Sequence, residues 1–323
     1  MTTPIEGRDD LLSAVPFIVG FHPMNSWVLI LGNDTEIEGC IRMDIPEKIT
    51  PELIHRVLEG FESSNCGSVI MLAYVDNEDL YSPDFIKLYT AIESKVEVMD
   101  ALIVNSTHYR PLTNDWEPRP VPDWRNSRVA ADRIAAGSPI PFDSKEAMIE
   151  SIKHYEFDEE LETLVTSSPK IDYNADESTI RERQRDGVVE INTMVAYFKN
   201  KQLQGLRKST IARTIAALQD TQVRDYALGL NFDDIKFMWK WLLSKSPKGY
   251  KAPLACLYAF TAYETGDGAQ ANAALELAED DNPSYTLTDL LSLTFQGQIH
   301  PRTFQRMRDE LHPTVLKSLG LRA

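Results

Sequence analysis

Six polar side chains could do chemistry, because each lies beside a short apolar run that is typical of a β-strand. They are His22, Ser26, Asp76, Asp79, Ser106 and His108. Imidazole nitrogens and carboxylates transfer protons near neutral pH, and a serine hydroxyl beside them can act as a nucleophile. If the chain is an enzyme, these six residues are its predicted catalytic set. The alternative is a solvated acidic loop, an ordinary surface or strand histidine at His108, and a packed helix-to-strand corner that contains His22 and Ser26.

Familiar catalytic and ligand-binding motifs do not occur in the sequence. It has no phosphate-binding loop, no Gly-x-Gly-x-x-Gly fingerprint and no His-Glu-x-x-His pair. The 6 histidines are never at ligand spacing, and the 3 cysteines cannot form a disulfide framework or a metal site. We therefore expect neither a cofactor nor a metal.

The elements that would position the six residues alternate between strand and helix. Apolar runs predict a β-hairpin over residues 26–45 and strands over 67–75 and 96–104. Thr50-Pro51 and Ser82-Pro83 each open a helical pattern between them. The order β-β-α-β-α-β predicts an α/β domain with a mixed, partly parallel sheet and flanking helices. In such sheets, ligands bind beyond the carboxyl ends of the strands.

The C-terminal part contains helical periods and no convincing strand, so we predict an all-α domain there. The stretch Ala252 to Pro283 resembles a tetratricopeptide repeat, which makes the domain tetratricopeptide-like in part. Helical repeats commonly bind proteins. The predicted partner-binding side chains are Trp239, Trp241, Tyr258 and Tyr263. The alternative is that the tryptophans form the core of the helical part or contact the first domain.

Charge separates the two parts. The 323 residues carry a net charge of −16, which divides into −18 over residues 1–186 and +2 over 187–323. We predict an α/β domain over 1–168, a linker over 169–186 and a helical domain over 187–323. The acidity excludes nucleic-acid binding by the first domain and adsorption to an anionic membrane. The one basic cluster is Lys199, Lys201, Arg207, Lys208 and Arg213, which we interpret as a solvated face or an intramolecular dock.

No signal peptide or membrane-spanning run is evident, so we expect a cytoplasmic protein.

Three stretches resemble one family. Residues 10–26 are similar to the opening of the actinobacterial domain-of-unknown-function family 4192, 127–137 to its middle helix, and 250–285 to its helical C-terminal part. The resemblance covers nearly the whole chain. It implies an actinobacterium or one of its phages as the source, and it brings no activity.

Our leading hypothesis is a non-enzymatic protein-interaction or assembly module that binds a protein partner or forms a homo-oligomer. The alternative is a hydrolase or nucleotide-processing enzyme with its site at the strand ends. Oligomeric assembly in a phage is a third possibility.

Overall fold

The computed structural model describes residues 4–33, 36–64, 66–76, 82–113, 117–297 and 301–321. The chain forms two compact units, Met1–Met148 and Ile149–Ala323. This division precedes the predicted linker, 169–186, which includes the start of a long helix at Glu177. The predicted domain boundaries stay a prediction.

A mixed sheet forms the centre of the first unit. Its strands are β1 (Ser26–Asn33), β2 (Glu36–Asp44), β3 (Ser68–Tyr74), β4 (Glu97–Val104), β5 (His108–Pro111) and β6 (Arg119–Pro120). They lie in the order β2-β1-β3-β4-β5-β6. Among these described strands, β3 and β4 pair in parallel and the other neighbours are antiparallel. The predicted mixed, partly parallel sheet is confirmed.

Helices cover both faces of this sheet. They are α1 (Arg8–Val19), α2 (Pro51–Ser64), α3 (Pro83–Glu93) and α4 (Arg128–Ala135). One face buries Trp27, Met71 and Ile103 against Phe61 of α2 and Phe85 of α3. Because side chains alternate along a strand, Asp100 of β4 points to the other face.

That other face carries α1. The Arg8 guanidinium donates to the Asp100 carboxylate at 2.7 Å, and the Tyr109 hydroxyl of β5 donates to Asp9 at 2.7 Å. α1 continues through Pro16 and ends at Gly20, whose φ of 88° lies in the left-handed region. The chain then enters β1 through His22 and Ser26.

The second unit is helical throughout its described residues. After α5 (Lys145–Lys153), which crosses the division, come α6 (Glu159–Ser167), α7 (Glu177–Lys199), α8 (Lys208–Ala217), α9 (Thr221–Leu228), α10 (Ile235–Ser244), α11 (Lys251–Glu264), α12 (Gly268–Asp281), α13 (Thr286–Gln296) and α14 (Pro301–Ser318). α7 begins early because the Asp176 carboxylate caps it, accepting from the Thr179 amide at 3.0 Å. The mostly helical second part is confirmed.

α11 is the central helix of this unit. It packs against α9, α10, α12, α13 and α14, and most of its side chains are buried. Gly266, with a φ of 83°, closes its C-terminus and lets the chain turn sharply into α12. No described helix has the length and apolar character needed to cross a membrane.

Candidate functional site

Five of the six predicted catalytic residues lie at one edge of the sheet. Tyr74 at the end of β3 is level with Ser26 at the start of β1 and with Val104 at the end of β4. Asp76 follows β3, whereas Ser106 and His108 lie in and after the turn that follows β4. The His22 ring packs edge-on against the Tyr74 ring, with 6.2 Å between centroids. Asp79 lies outside the described residues.

The hydroxyl of Ser26 is fully engaged in the packing of this edge. Ser26 is buried, and its Oγ donates to the Met24 carbonyl at 2.6 Å and accepts from an Arg42 nitrogen at 2.6 Å. The same Arg42 nitrogen donates to Asp44 at 2.6 Å, and the guanidinium lies over the Phe21 ring. This hydroxyl therefore holds the corner before β1 together.

His22 carries one of the buried nitrogen atoms at this edge that lack a hydrogen-bond partner among the described residues. This atom is Nδ1 of its ring. Burial lowers the pKa of His22, and the charge of Arg125 acts in the same direction. The neutral imidazole is favoured, which is the form that accepts a proton.

The remaining predicted residues are exposed. Asn105 Oδ1 accepts from the Thr107 amide at 2.9 Å and the His108 amide at 2.7 Å, so Asn105 builds the turn between β4 and β5. His108 Nδ1 lies 3.0 Å from the Thr107 hydroxyl. Within the described part of the chain, no hydrogen bond or ion pair joins His22, Ser26, Asp76, Ser106 or His108 to another of the five. The edge gathers these residues without pairing a nucleophile with a base.

Metal-ligand chemistry is not concentrated anywhere in the residues that the structure describes. No group of three or more His, Cys, Asp or Glu side chains lies together there in an arrangement suited to a metal ion.

The predicted partner-binding residues divide between core and surface. Trp239 and Tyr258 are buried in the helical unit. Tyr263 is half-buried and stacks on Phe295, with ring centroids 4.1 Å apart. Trp241 is half-buried and packs edge-on against Phe198 at 5.5 Å. The burial of Trp239 and Tyr258 favours the alternative of a helical core, and a partner-binding role for the four stays a prediction.

A groove of about 840 Å³ opens between the end of α7 and α10, and we call it the aromatic groove. Its lining comes from Tyr197, Phe198 and Lys201, from residues 202–205, and from Asp234 and Phe237. Phe237 is 56% exposed, and its ring rests edge-on against buried Phe198 with 5.9 Å between centroids.

Trp241 lies one turn further along α10 and packs on the same Phe198 ring. The Lys245 ammonium lies 4.7 Å from the centroid of the Trp241 ring and forms an ion pair with Glu156. α10 therefore presents an aromatic surface that is bordered by a charged pair. Sequence reasoning missed Phe237, although its spacing of four residues from Trp241 was the available signal.

Lys201 enters the aromatic groove from a strained backbone position. Its φ is +54°, in the left-handed region, and it terminates α7. The Lys201 amide donates to the Phe198 carbonyl at 3.0 Å and the Gln202 amide to the Tyr197 carbonyl at 3.0 Å. This is the Schellman arrangement, in which glycine usually occupies the Lys201 position. A side chain there costs about 1–2 kcal/mol.

A second cavity, of about 450 Å³, lies beside α7, α8 and the start of α9. The buried acid at its wall is Asp220, which caps α9 through the Val223 amide. Asp220 also accepts from the Tyr173 hydroxyl at 2.7 Å and from the Gln184 amide nitrogen at 3.1 Å. The Asp220 carboxylate already has hydrogen-bond partners within the protein. It is therefore less available to bind a polar ligand in this cavity.

Comparison with known proteins shows which family this chain matches. The model of a family described as Domain of unknown function (DUF4192) matches residues 9–302. No curated protein and no solved structure matches the chain. The match spans both the sheet with its polar edge and the helices that form the aromatic groove. The chain therefore belongs to the DUF4192 family.

Proposed function

We propose that this protein is a non-enzymatic interaction or assembly module, and that the aromatic groove of its helical unit binds a protein partner. The observation that carries the proposal is Phe237, a large apolar ring that is 56% exposed and fixed in place by the buried Phe198 ring. Aromatic anchors in such settings contribute most of the binding energy at protein interfaces. A fixed ring also loses little side-chain freedom on binding.

The sheet edge supports this choice by what its residues already do. The Ser26 hydroxyl is engaged by Arg42 and Met24, and the His108 ring bonds to its own turn. Acyl or phosphoryl transfer requires a nucleophile within hydrogen-bond reach of a base.

The proposal also includes the cellular location, the source and the type of helical hairpin expected from the sequence. We infer a cytoplasmic protein from an actinobacterium or one of its phages, with α11 and α12 as a tetratricopeptide-like hairpin. In support, Gly266 forms the turn, and Ala271 and Ala278 on α12 are fully buried, as the small residues of a close helix pair would be.

The proposal is tested by selecting partners without assuming their identity. The full-length chain is immobilised and presented with a displayed library of random peptides, and the enriched peptides are titrated against three proteins. These are the wild type, Phe237→Asp, and Leu293→Asp, whose side chain is 67% exposed on α13 outside the groove lining. We expect Phe237→Asp to weaken binding by about tenfold or more. Leu293→Asp should leave it unchanged.

Two results would contradict the proposal: a library that yields no peptide, or peptides that bind Phe237→Asp as tightly as the wild type. Because Phe237 is exposed, the unfolding midpoint of its variant should stay near that of the wild type, which verifies folding. A homo-oligomer is the other form of partner. Light scattering of the wild type and of Phe237→Asp tests whether a second copy occupies the groove.

A hydrolase or nucleotide-processing enzyme is the second candidate. It is favoured by the unpartnered, buried Nδ1 of His22 at an edge that also carries Asp76 and Ser106. A screen of ester and phosphodiester substrates with the wild type and with His22→Gln tests it. Turnover that disappears in His22→Gln would support this candidate, and no turnover by the wild type would oppose it.

A further inference from the structure

The stretch from the end of α7 through α8 has an unusual charge for this chain. Residues 191–219, which end α7 and continue through α8, contain 5 basic residues and no acidic residue. The whole chain, by contrast, carries a net charge of −16.

Only part of this positive charge is neutralised inside the helical unit. Lys208 pairs with Asp158 and Glu160, and Arg213 pairs with Glu190. No ion pair holds Lys199, Lys201 or Arg207 within the residues that the structure describes. The Lys199 ammonium lies over the Phe232 ring at 5.2 Å, and Lys201 lines the groove. Two of these three cations, Lys199 and Lys201, therefore belong to the end of α7 that forms the aromatic groove, whereas Arg207 lies outside its lining.

The backbone at Lys201 strengthens the case for function. A lysine stands in a left-handed position where glycine would be more stable. Strain of this kind persists where the surrounding structure enforces it and commonly marks functional sites. Here the strained residue is also one of the three cations of residues 191–219 that no described ion pair holds.

We propose that the partner segment bound in the aromatic groove is an acidic peptide that carries an aromatic or large aliphatic side chain. This inference rests on the proposed function and adds the chemistry of the partner. Carboxylates of the segment pair with Lys199 and Lys201, and its apolar side chain packs on Phe237. Among the described residues, Asp234 is the one acid in the groove lining. It disfavours a uniformly acidic segment, so the apolar anchor of the peptide lies on that side.

A peptide fits this site better than a nucleic acid does. Phosphate recognition commonly uses arginine, whose guanidinium forms paired hydrogen bonds, and no arginine lines the groove among the described residues.

Fluorescence anisotropy on the full-length chain tests the inference with three labelled probes. The first is a short peptide of glutamates with two phenylalanines, the second has lysines in place of the glutamates, and the third is single-stranded oligo-uridylate. Each is titrated with the wild type, Lys201→Glu, Lys201→Gly and Lys248→Glu. Lys248 is exposed, has no ion pair among the described residues and lies outside the groove lining, so it is the matched control.

We expect the glutamate peptide to bind the wild type and to weaken as salt is added. Lys201→Gly should weaken binding about threefold while leaving the unfolding midpoint equal or higher, and Lys201→Glu about tenfold. Lys248→Glu should change it little. Lys201→Gly removes the ammonium group and at the same time relieves the backbone strain. Weaker binding by this variant therefore reports the lost charge and not a loss of folding.

The outcomes that overturn the inference are distinct from those that overturn the proposed function. If selected peptides bind through Phe237 but are neutral or basic, or if they ignore Lys201→Glu, the proposed function stands and the acidic partner is wrong. If oligo-uridylate binds and Lys201→Glu abolishes it, the groove is a nucleic-acid site and the inference is wrong. If no probe binds the wild type, the inference is wrong as well.

Discussion

Adding one methyl group at Gly229 should separate α14 from α9. An ideal Cβ built on Gly229 would lie 1.6 Å from His312 Nδ1 and 2.4 Å from His312 Cγ. The His312 ring also packs on the Tyr226 ring of α9, with 5.7 Å between centroids. The φ of Gly229 is −76°, which any residue adopts, so the close approach of His312 is what requires glycine here.

Two opposing effects determine how much Gly229→Ala changes the free energy of unfolding. Overpacking a filled contact costs about 1–3 kcal/mol, because side chains and backbone must shift. Replacing glycine by alanine returns about 0.4–1 kcal/mol by restricting the unfolded chain. We therefore expect the free energy of unfolding to fall by about 1–2 kcal/mol. For a unit of this size, that corresponds to a Tm lower by about 2–8 °C.

Circular dichroism during urea and thermal unfolding measures this effect. Gly268→Ala is the matched control, since nothing lies within 4 Å of its Cβ and its φ is ordinary. The control should unfold at or slightly above the wild-type midpoint. The double variant Gly229→Ala/His312→Ala should recover part of the loss, because the clashing ring is gone. A Gly229→Ala variant as stable as the control would refute the described packing of α14 on α9.

Three further outcomes follow from buried groups. Burial lowers the pKa of His22, so the unfolded state binds more protons than the folded state as the pH falls through about 6.5. Stability that is present above that pH is therefore lost on acidification. The urea midpoint of His22→Gln should fall less between pH 7 and 5 than that of the wild type. Both side chains of the Arg308–Glu264 ion pair are about 8% exposed. Arg308→Met should therefore lower the free energy of unfolding by about 3–5 kcal/mol, because it leaves the buried carboxylate unpaired. Adding Glu264→Gln should restore part of this stability, and an unchanged unfolding midpoint of Arg308→Met would contradict the prediction. Cys256 is buried, and this burial raises the pKa of its thiol to about 11. At pH 8 a thiol reagent should therefore label Cys256 only after unfolding, as mass spectrometry would show.

The central strands of the first unit were predictable because β3 and the second half of β4 are buried on both faces. The continuous apolar runs that became β3 and β4 have few other ways to hide from water. The sequence did not predict β5 and β6, since β6 is two residues long and lies in a proline-rich connection. Its pairing with β5 depends on contacts that no local pattern encodes.

The candidate site was less predictable for two physical reasons. α10 is apolar nearly all round, so periodicity could not say that Trp239 faces the core while Phe237 faces solvent. The engagement of the Ser26 hydroxyl by Arg42 depends on the register of the β1–β2 hairpin, which only the folded structure defines. Lys201 gave no local signal, because glycine is the usual mark of a helix end and is absent there.

The location of partner binding is the central claim, and hydrogen exchange measures it most directly. Amide exchange of the full-length chain is compared with and without a peptide selected for binding. We predict protection confined to residues 197–205 and 234–241, the segments that form and flank the aromatic groove. Protection at residues 22–26 and 105–108 instead, or no protection in the helical unit, would contradict the account.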